Sequence, residues 1–191
     1  MPERTGRRII PLVPARNAAA TGQRQIDFRK PPPLALYVHV PWCVQKCPYC
    51  DFNSHAVAAQ KGDRRVPAIP EDDYVTALIA DLESALPTVW GRRVDSIFLG
   101  GGTPSLLSGE AVDRLLTALR SRLPLLPNGE ITLEANPDSV EAGKFAAFRA
   151  AGVNRLSIGI QSFNPRHLKA LGRAHDDRQA RQAIEIAARH F

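Results

Sequence analysis

From Leu34 onward the chain repeats one unit four times: a short apolar run, a loop, and a stretch whose apolar residues recur at helical spacing. The apolar runs are "LALYVHV" (34–40), "SIFLG" (96–100), "EITLEA" (130–135) and "RLSIGI" (155–160), and their length and β-rich composition predict strands. The helical stretches carry Val75, Leu78, Ile79, Leu82 and Leu86, then Val112, Leu115, Leu116, Leu119 and Leu123, then Phe145 and Phe148, and last Ala180, Ala183, Ile184 and Ala187. Ser108 and Ser139 are placed to cap helix starts, and Gly152 stands where a left-handed stop is expected. Strict strand-helix alternation returns each strand to the sheet in the same direction through a right-handed crossover. The fold class is therefore α/β, with a parallel sheet that is either open and doubly wound or part of a barrel.

Little else in the chain competes with this pattern. "KPPP" ends a leading segment, because three prolines exclude a helix. Residues 1–33 are expected to be a flexible basic tail and 34–191 the folded domain. Residues 1–30 hold seven basic side chains against Glu3 and Asp27, so five of the six excess positive charges lie there and the remainder is nearly neutral. That location favours a solvated lead over a nucleic-acid arm or a transit peptide. The stretch 56–70, "AVAAQKGDRRVPAIP", has no period and reads as a mobile excursion. No apolar run approaches the roughly 20 residues that a membrane-spanning helix needs, and "MPERTGRRII" is not followed by a signal peptide's apolar core. The expectation is a cytoplasmic protein, with peripheral membrane contact left open.

The residues that do not serve packing gather at one place. In either parallel architecture the site lies at the carboxyl ends of the strands. Directly after the four strands come "PWCVQKCPYCDF", "GGGTPS" (100–105), "EANP" (134–137) and "QSFN" (161–164), so four unusual segments would share one rim. Cys43, Cys47 and Cys50 are the only cysteines. Interleaved with Lys46, Pro48 and Asp51, they do not pattern like core. A zinc site would need a fourth ligand, which His39 or His55 could supply. An iron-sulfur cube held by three cysteines would keep one iron open to an exogenous ligand.

The spacing Cys-x3-Cys-x2-Cys after a first strand resembles the radical S-adenosylmethionine (SAM) superfamily. The wider string "YVHVPWCVQKCPYCDFNSH", with "GGGTPSLL", "EANP" and "GIQSF", resembles its oxygen-independent coproporphyrinogen dehydrogenase-like branch. The resemblance implies a [4Fe-4S] cluster on Cys43, Cys47 and Cys50 whose open iron is chelated by SAM. It implies a parallel (βα)6 TIM-like barrel, of which this sequence supplies about four units. The expectation is thus the N-terminal part of a longer chain; standing alone, the half-barrel would expose an unpaired edge and an open apolar face.

Residue by residue, the three glycines Gly100, Gly101 and Gly102 let backbone approach a ligand, and Thr103 adds a hydroxyl. The resemblance places the SAM ammonium group there. An unpartnered carboxylate at Glu134 would cost on the order of several kcal/mol; by resemblance it binds SAM, as do Gln161 through ribose hydroxyls and Arg173 through the carboxylate. Structural roles stay open for all three. Tyr37 and Tyr49 resemble SAM-contacting positions, Tyr49 against adenine, while His39 and His55 are left outside the site.

Function divides at Phe52. The dehydrogenases of the branch carry a further cysteine two positions after the third, whereas here that position is Phe52, as in the branch's heme chaperones. The resemblance therefore implies a protein that binds heme and transfers it to an apo-hemoprotein, with an electron donor for the cluster. The alternative is an oxygen-independent coproporphyrinogen III dehydrogenase using a 5′-deoxyadenosyl radical, and a zinc-stabilised binding module is a third reading.

Overall fold

The computed structural model describes residues 31–57, 69–137 and 142–191. The basic tail up to Lys30, most of the aperiodic stretch and the capping role expected of Ser139 lie outside the described residues. The chain divides between Pro32 and Pro33, and every element described belongs to the unit Pro33–Phe191. In chain order the elements are β1 (Leu34–Val40), β2 (Trp42–Cys43), β3 (His55–Ala56), α1 (Glu71–Val89), β4 (Val94–Gly101), a 3-10 turn (Pro104–Leu106), α2 (Gly109–Arg122), β5 (Leu125–Ala135), α3 (Ala142–Ala151), β6 (Arg155–Ile158), α4 (Pro165–Ala170) and α5 (Asp177–Ala187).

β1, β4, β5 and β6 form one parallel sheet in that spatial order. Spatial order follows chain order without reversal, whereas a doubly wound sheet turns back from its first strands. Steady winding in one direction is barrel winding, so the fold is a partial TIM-like barrel.

Register explains both faces of the sheet. Val38, Leu99, Leu133 and Leu156 stand in one row across the four strands. Because side chains alternate along a strand, this row and its neighbours Val40, Ile97 and Ile131 point to one face. There they meet Val75 of α1, Val112, Leu115, Leu116 and Leu119 of α2, and Phe145 and Phe148 of α3, in one buried core. The adjacent row, Tyr37, Phe98, Thr132 and Arg155, points the other way. That face is not the open apolar surface expected of a half-barrel. Tyr37 stacks on Phe98 with ring centroids 6.2 Å apart, and Arg155 Nη1 donates to Glu130 Oε1 (3.4 Å) and Thr132 Oγ1 (3.2 Å).

Local signals mostly act as expected. Ser108 Oγ accepts from the Ala111 N–H at 3.0 Å, and Gly152 takes the left-handed φ of +108° after α3. β5 begins five residues before its apolar run because Leu125 already pairs with Val94; the register then shifts before Glu130 pairs with Ser96, and Asn128 in the intervening bulge takes a left-handed φ of 60°. α4 was not legible as a helix: it has six residues, too few to show a period, and is started by Asn164, whose side chain accepts from the Arg166 N–H, with Pro165 in the first turn.

Candidate functional site

The cysteine loop is built on a backbone clamp. After β1, β2 pairs in parallel with β3, and the clamp is closed by His55 N–H to Pro41 O (2.7 Å) and Val57 N–H to Cys43 O (2.8 Å). Within the loop, Cys50 N–H donates to Cys47 O at 3.1 Å, and the Lys46 ammonium bonds the carbonyls of Phe52 and Ser54. Trp42 packs edge-on against Tyr74, whose hydroxyl donates to the His39 carbonyl at 2.6 Å. His39 itself is spent on structure, with Nε2 on Asn53 O and Nδ1 on the Tyr37 hydroxyl.

The glycine segment is pressed onto this base. Gly102 N–H donates to Val40 O and Thr103 N–H to Trp42 O, both at 2.7 Å. A Cβ at Gly101, where φ is +112°, would lie 2.6 Å from the His39 ring, and one at Gly102 would lie 2.5 Å from Trp42 O. The glycines were expected to admit a ligand; they also admit the neighbouring backbone, and that second demand is the one these contacts display.

One cavity of about 280 Å³ opens at the carboxyl ends of the strands. Its wall brings together Cys43, Cys47, Cys50, Tyr49, Gly101, Gly102, Glu134 and Gln161 from all four rim segments and Arg173 from just beyond α4, with Lys46, Phe52, Asn136, Ser157 and Gly159 among its other lining residues. Two expected residues stand off the wall. Tyr37 is 53% exposed on the sheet face beyond Glu134, and Thr103 is buried behind Asn136, accepting from its Nδ2 at 2.9 Å. Asn136 and Lys46 were not singled out from sequence; Asn136 lies inside "EANP" and could have been found there.

Charge on the wall is incompletely matched. Glu134 Oε2 accepts from the Gly101 N–H at 3.2 Å, and burial holds its carboxyl above the usual carboxylate range, an effect that this N–H opposes. Arg173 donates through Nη2 to Asn136 Oδ1 (2.6 Å) and Gly159 O (2.7 Å), and through Nη1 to Cys47 Sγ (3.2 Å) and the Tyr49 hydroxyl (3.5 Å). Its Nε is buried without a partner among the described residues. Gln161 sits at a left-handed φ of 66°, a conformation a non-glycine residue holds only when its surroundings enforce it. The cavity thus presents a cation and an anion that are not paired with each other.

Three thiols, one buried on β2 and two half-buried on the loop, suit a cluster that spreads its ligands over separate irons. No three His, Cys, Asp or Glu side chains among the described residues stand close enough to share a single ion. The buried Nε of Arg173 is the kind of donor that an anionic ligand group satisfies. The residues present therefore fit the cluster and an amino-acid-bearing ligand.

Residues 37–191 match the family model of the Radical SAM superfamily. Over 159 residues, 83% of this chain, the sequence is 55% identical to the heme chaperone HemW of Escherichia coli strain K12, and it is 50% identical over 162 residues to that of Haemophilus influenzae. The chain spans about 40% of the length of each. Among solved structures it superposes with a TM-score of 0.70 on the E. coli coproporphyrinogen III oxidase HemN, described as a radical SAM enzyme, at 31% identity, covering 82% of this chain and 34% of the other.

Proposed function

Because the chain belongs to the radical SAM superfamily, we propose that it forms the cluster- and SAM-binding part of a heme chaperone, which binds heme and hands it to an apo-hemoprotein. The observation that carries this reading is the shared wall: three cysteine thiols, a half-buried carboxylate and a half-buried guanidinium face one cavity. Superfamily membership implies an iron-sulfur cluster and SAM, and the methionyl end of SAM is a zwitterion. Its carboxylate matches Arg173 and its ammonium matches Glu134, so one ligand neutralises both wall charges. The identity to HemW and the presence of Phe52, 59% exposed on the cavity rim, favour the chaperone over the dehydrogenase.

In this reading Cys43, Cys47 and Cys50 hold the cluster, and Lys46 secures their loop from the Phe52 and Ser54 carbonyls. Gly101 and Gly102 with Glu134 receive the ammonium, Arg173 the carboxylate, Gln161 the ribose hydroxyls and Tyr49 the adenine. Thr103 acts from behind the wall, and Tyr37 lines the sheet face that continues from the cavity. A bound cluster supplies one-electron reduction of the sulfonium, and the chain's part is to orient the two and exclude water. A separate electron donor, an apo-hemoprotein acceptor and a cytoplasmic setting complete the proposal.

The test uses the full chain reconstituted anaerobically with iron and sulfide. Hemin should bind and pass to an apo-hemoprotein, and coproporphyrinogen III should stay intact in the presence of SAM and a reductant. Anaerobic decarboxylation of coproporphyrinogen III with turnover of SAM would replace the chaperone by the dehydrogenase. Retention of iron after serine replacement of all three cysteines would remove the cluster from the account.

A further inference from the structure

Resting on the reading that Arg173 receives the SAM carboxylate, we infer that Asn136 is a positioning residue that aims the Arg173 guanidinium into the cavity while leaving its charge free. Asn136 follows β5 directly, Thr103 follows β4, and Arg173 lies beyond α4. The asparagine ties all three together: Oδ1 accepts from Arg173 Nη2 at 2.6 Å, and Nδ2 donates to Thr103 Oγ1 at 2.9 Å. Its amide can face only one way, because a guanidinium donates and never accepts. The hydroxyl of Thr103 is then left with the amide's donor end.

Packing supports the same role. Gly159 O takes the other bond from Arg173 Nη2, and a Cβ on Gly159 would come within 3.2 Å of Asn136 Oδ1 and 3.6 Å of Arg173 Nη2. The pair is thus seated against backbone where only glycine leaves comfortable room. An arginine side chain is long and rotamer-rich, so its fork is useful for recognition only when something holds the plane. Here the described holders are oxygens of an amide, a backbone carbonyl and a phenol, with one sulfur, and none carries a full carboxylate charge. A neutral acceptor orients the guanidinium and leaves its charge for a ligand.

The test titrates SAM into the full chain with its cluster reconstituted anaerobically and reduced, and reads the change in the cluster's electron paramagnetic resonance signal as a binding curve. Asn136→Leu keeps the volume and removes both hydrogen-bonding ends; at matched iron content it should weaken SAM binding by about ten- to a hundredfold, the usual effect of losing a bond to a charged group. Asn136→Asp keeps the acceptor toward Arg173 but pairs the guanidinium with a full charge, so it should hold its iron and still bind SAM more weakly than the parent; parental SAM affinity in this variant overturns the inference that a neutral acceptor leaves the charge free. A role confined to packing would instead lower the melting temperature of the leucine variant and leave its SAM affinity unchanged at equal iron loading, which overturns the inference. Asn136→Ser, which removes bulk rather than replacing it, is the second arm. Loss of iron from both the leucine and serine variants would make Asn136 a folding residue and overturn the inference as well. Either result leaves the proposed function standing, whereas a parent protein whose signal ignores SAM overturns that reading of the cavity and this inference with it.

Discussion

Replacing Gly102 with alanine probes how the cysteine loop is held. A Cβ there would stand 2.5 Å from the Trp42 carbonyl oxygen, 2.8 Å from its carbon and 2.9 Å from the Val40 oxygen. All three are backbone atoms on the path into Cys43, so no side chain can swing aside. Ordinary contact begins at 3.4 Å, and the two segments must therefore part by about 0.9 Å, the difference between 3.4 and 2.5 Å. The bonds from Gly102 N–H to Val40 O and from Thr103 N–H to Trp42 O, each 2.7 Å, span the same gap and would stretch to the limit of hydrogen bonding. Two bonds at about 1 kcal/mol each and overpacking of about 1–3 kcal/mol give a loss of about 3–5 kcal/mol. A domain of this size has only about 5–15 kcal/mol in all. Gly102 is not among the glycines at positive φ, so the whole cost is steric. Denaturant unfolding of the full chain, with iron and sulfide counted after anaerobic reconstitution, should show stability and cluster content falling together. Gly91→Ala is the control: its φ is +72° but no atom lies within 4 Å of the new Cβ, so it should cost about 1–2 kcal/mol and leave iron content unchanged. A Gly102→Ala protein with the parent's iron content and unfolding midpoint would refute the clamp.

Burial raises the Glu134 carboxyl, so the stability this group contributes is complete below the ordinary carboxylate range and is lost as pH rises through the raised value. Without ligand, Glu134→Gln should therefore melt higher than the parent at neutral pH, with the gap closing on acidification, while SAM affinity falls; a gap independent of pH would refute the burial argument. Arg173→Lys keeps the charge but cannot serve Asn136, Gly159 and Cys47 together, and SAM titration should show affinity lower by about tenfold or more. Phe148→Ala empties a fully buried site beside Phe145 and should cost about 3–5 kcal/mol in denaturant unfolding. Asp176→Ala removes a capping box shared with Gln179 at the start of α5 and should cost about 1 kcal/mol in the same assay.

Rows of residues such as Val38, Leu99, Leu133 and Leu156 were legible in the sequence because alternation and helical spacing are local consequences of backbone geometry. The rim was legible for a related reason: parallel winding sends every strand's carboxyl end to one side, so residues remote in sequence converge once the strands are identified. What could not be read is what each rim residue touches. Tyr37 shares a face with His39, as alternation requires, yet that face leads away from the cavity wall along the sheet, where Phe98 meets it. Glycines at 100–102 signalled close approach, but a missing side chain does not say whether a ligand or the backbone of β1 and β2 is the neighbour. Asn136 stood only as part of "EANP", and a short amide there serves a turn and a guanidinium equally well, so the sequence does not name its partner. Lys46 is only an interleaved residue in the sequence, which gives no sign that its ammonium meets the carbonyls of Phe52 and Ser54. In each case the undecided quantity is a partner brought in by closure of the fold across distant segments. The charges at Glu134 and Arg173 are the consequential example: each alone reads as a surface or an ion-pair residue. Only their placement on one wall, beside three thiols and unpaired with each other, supports the proposal that they receive the two ends of a zwitterion.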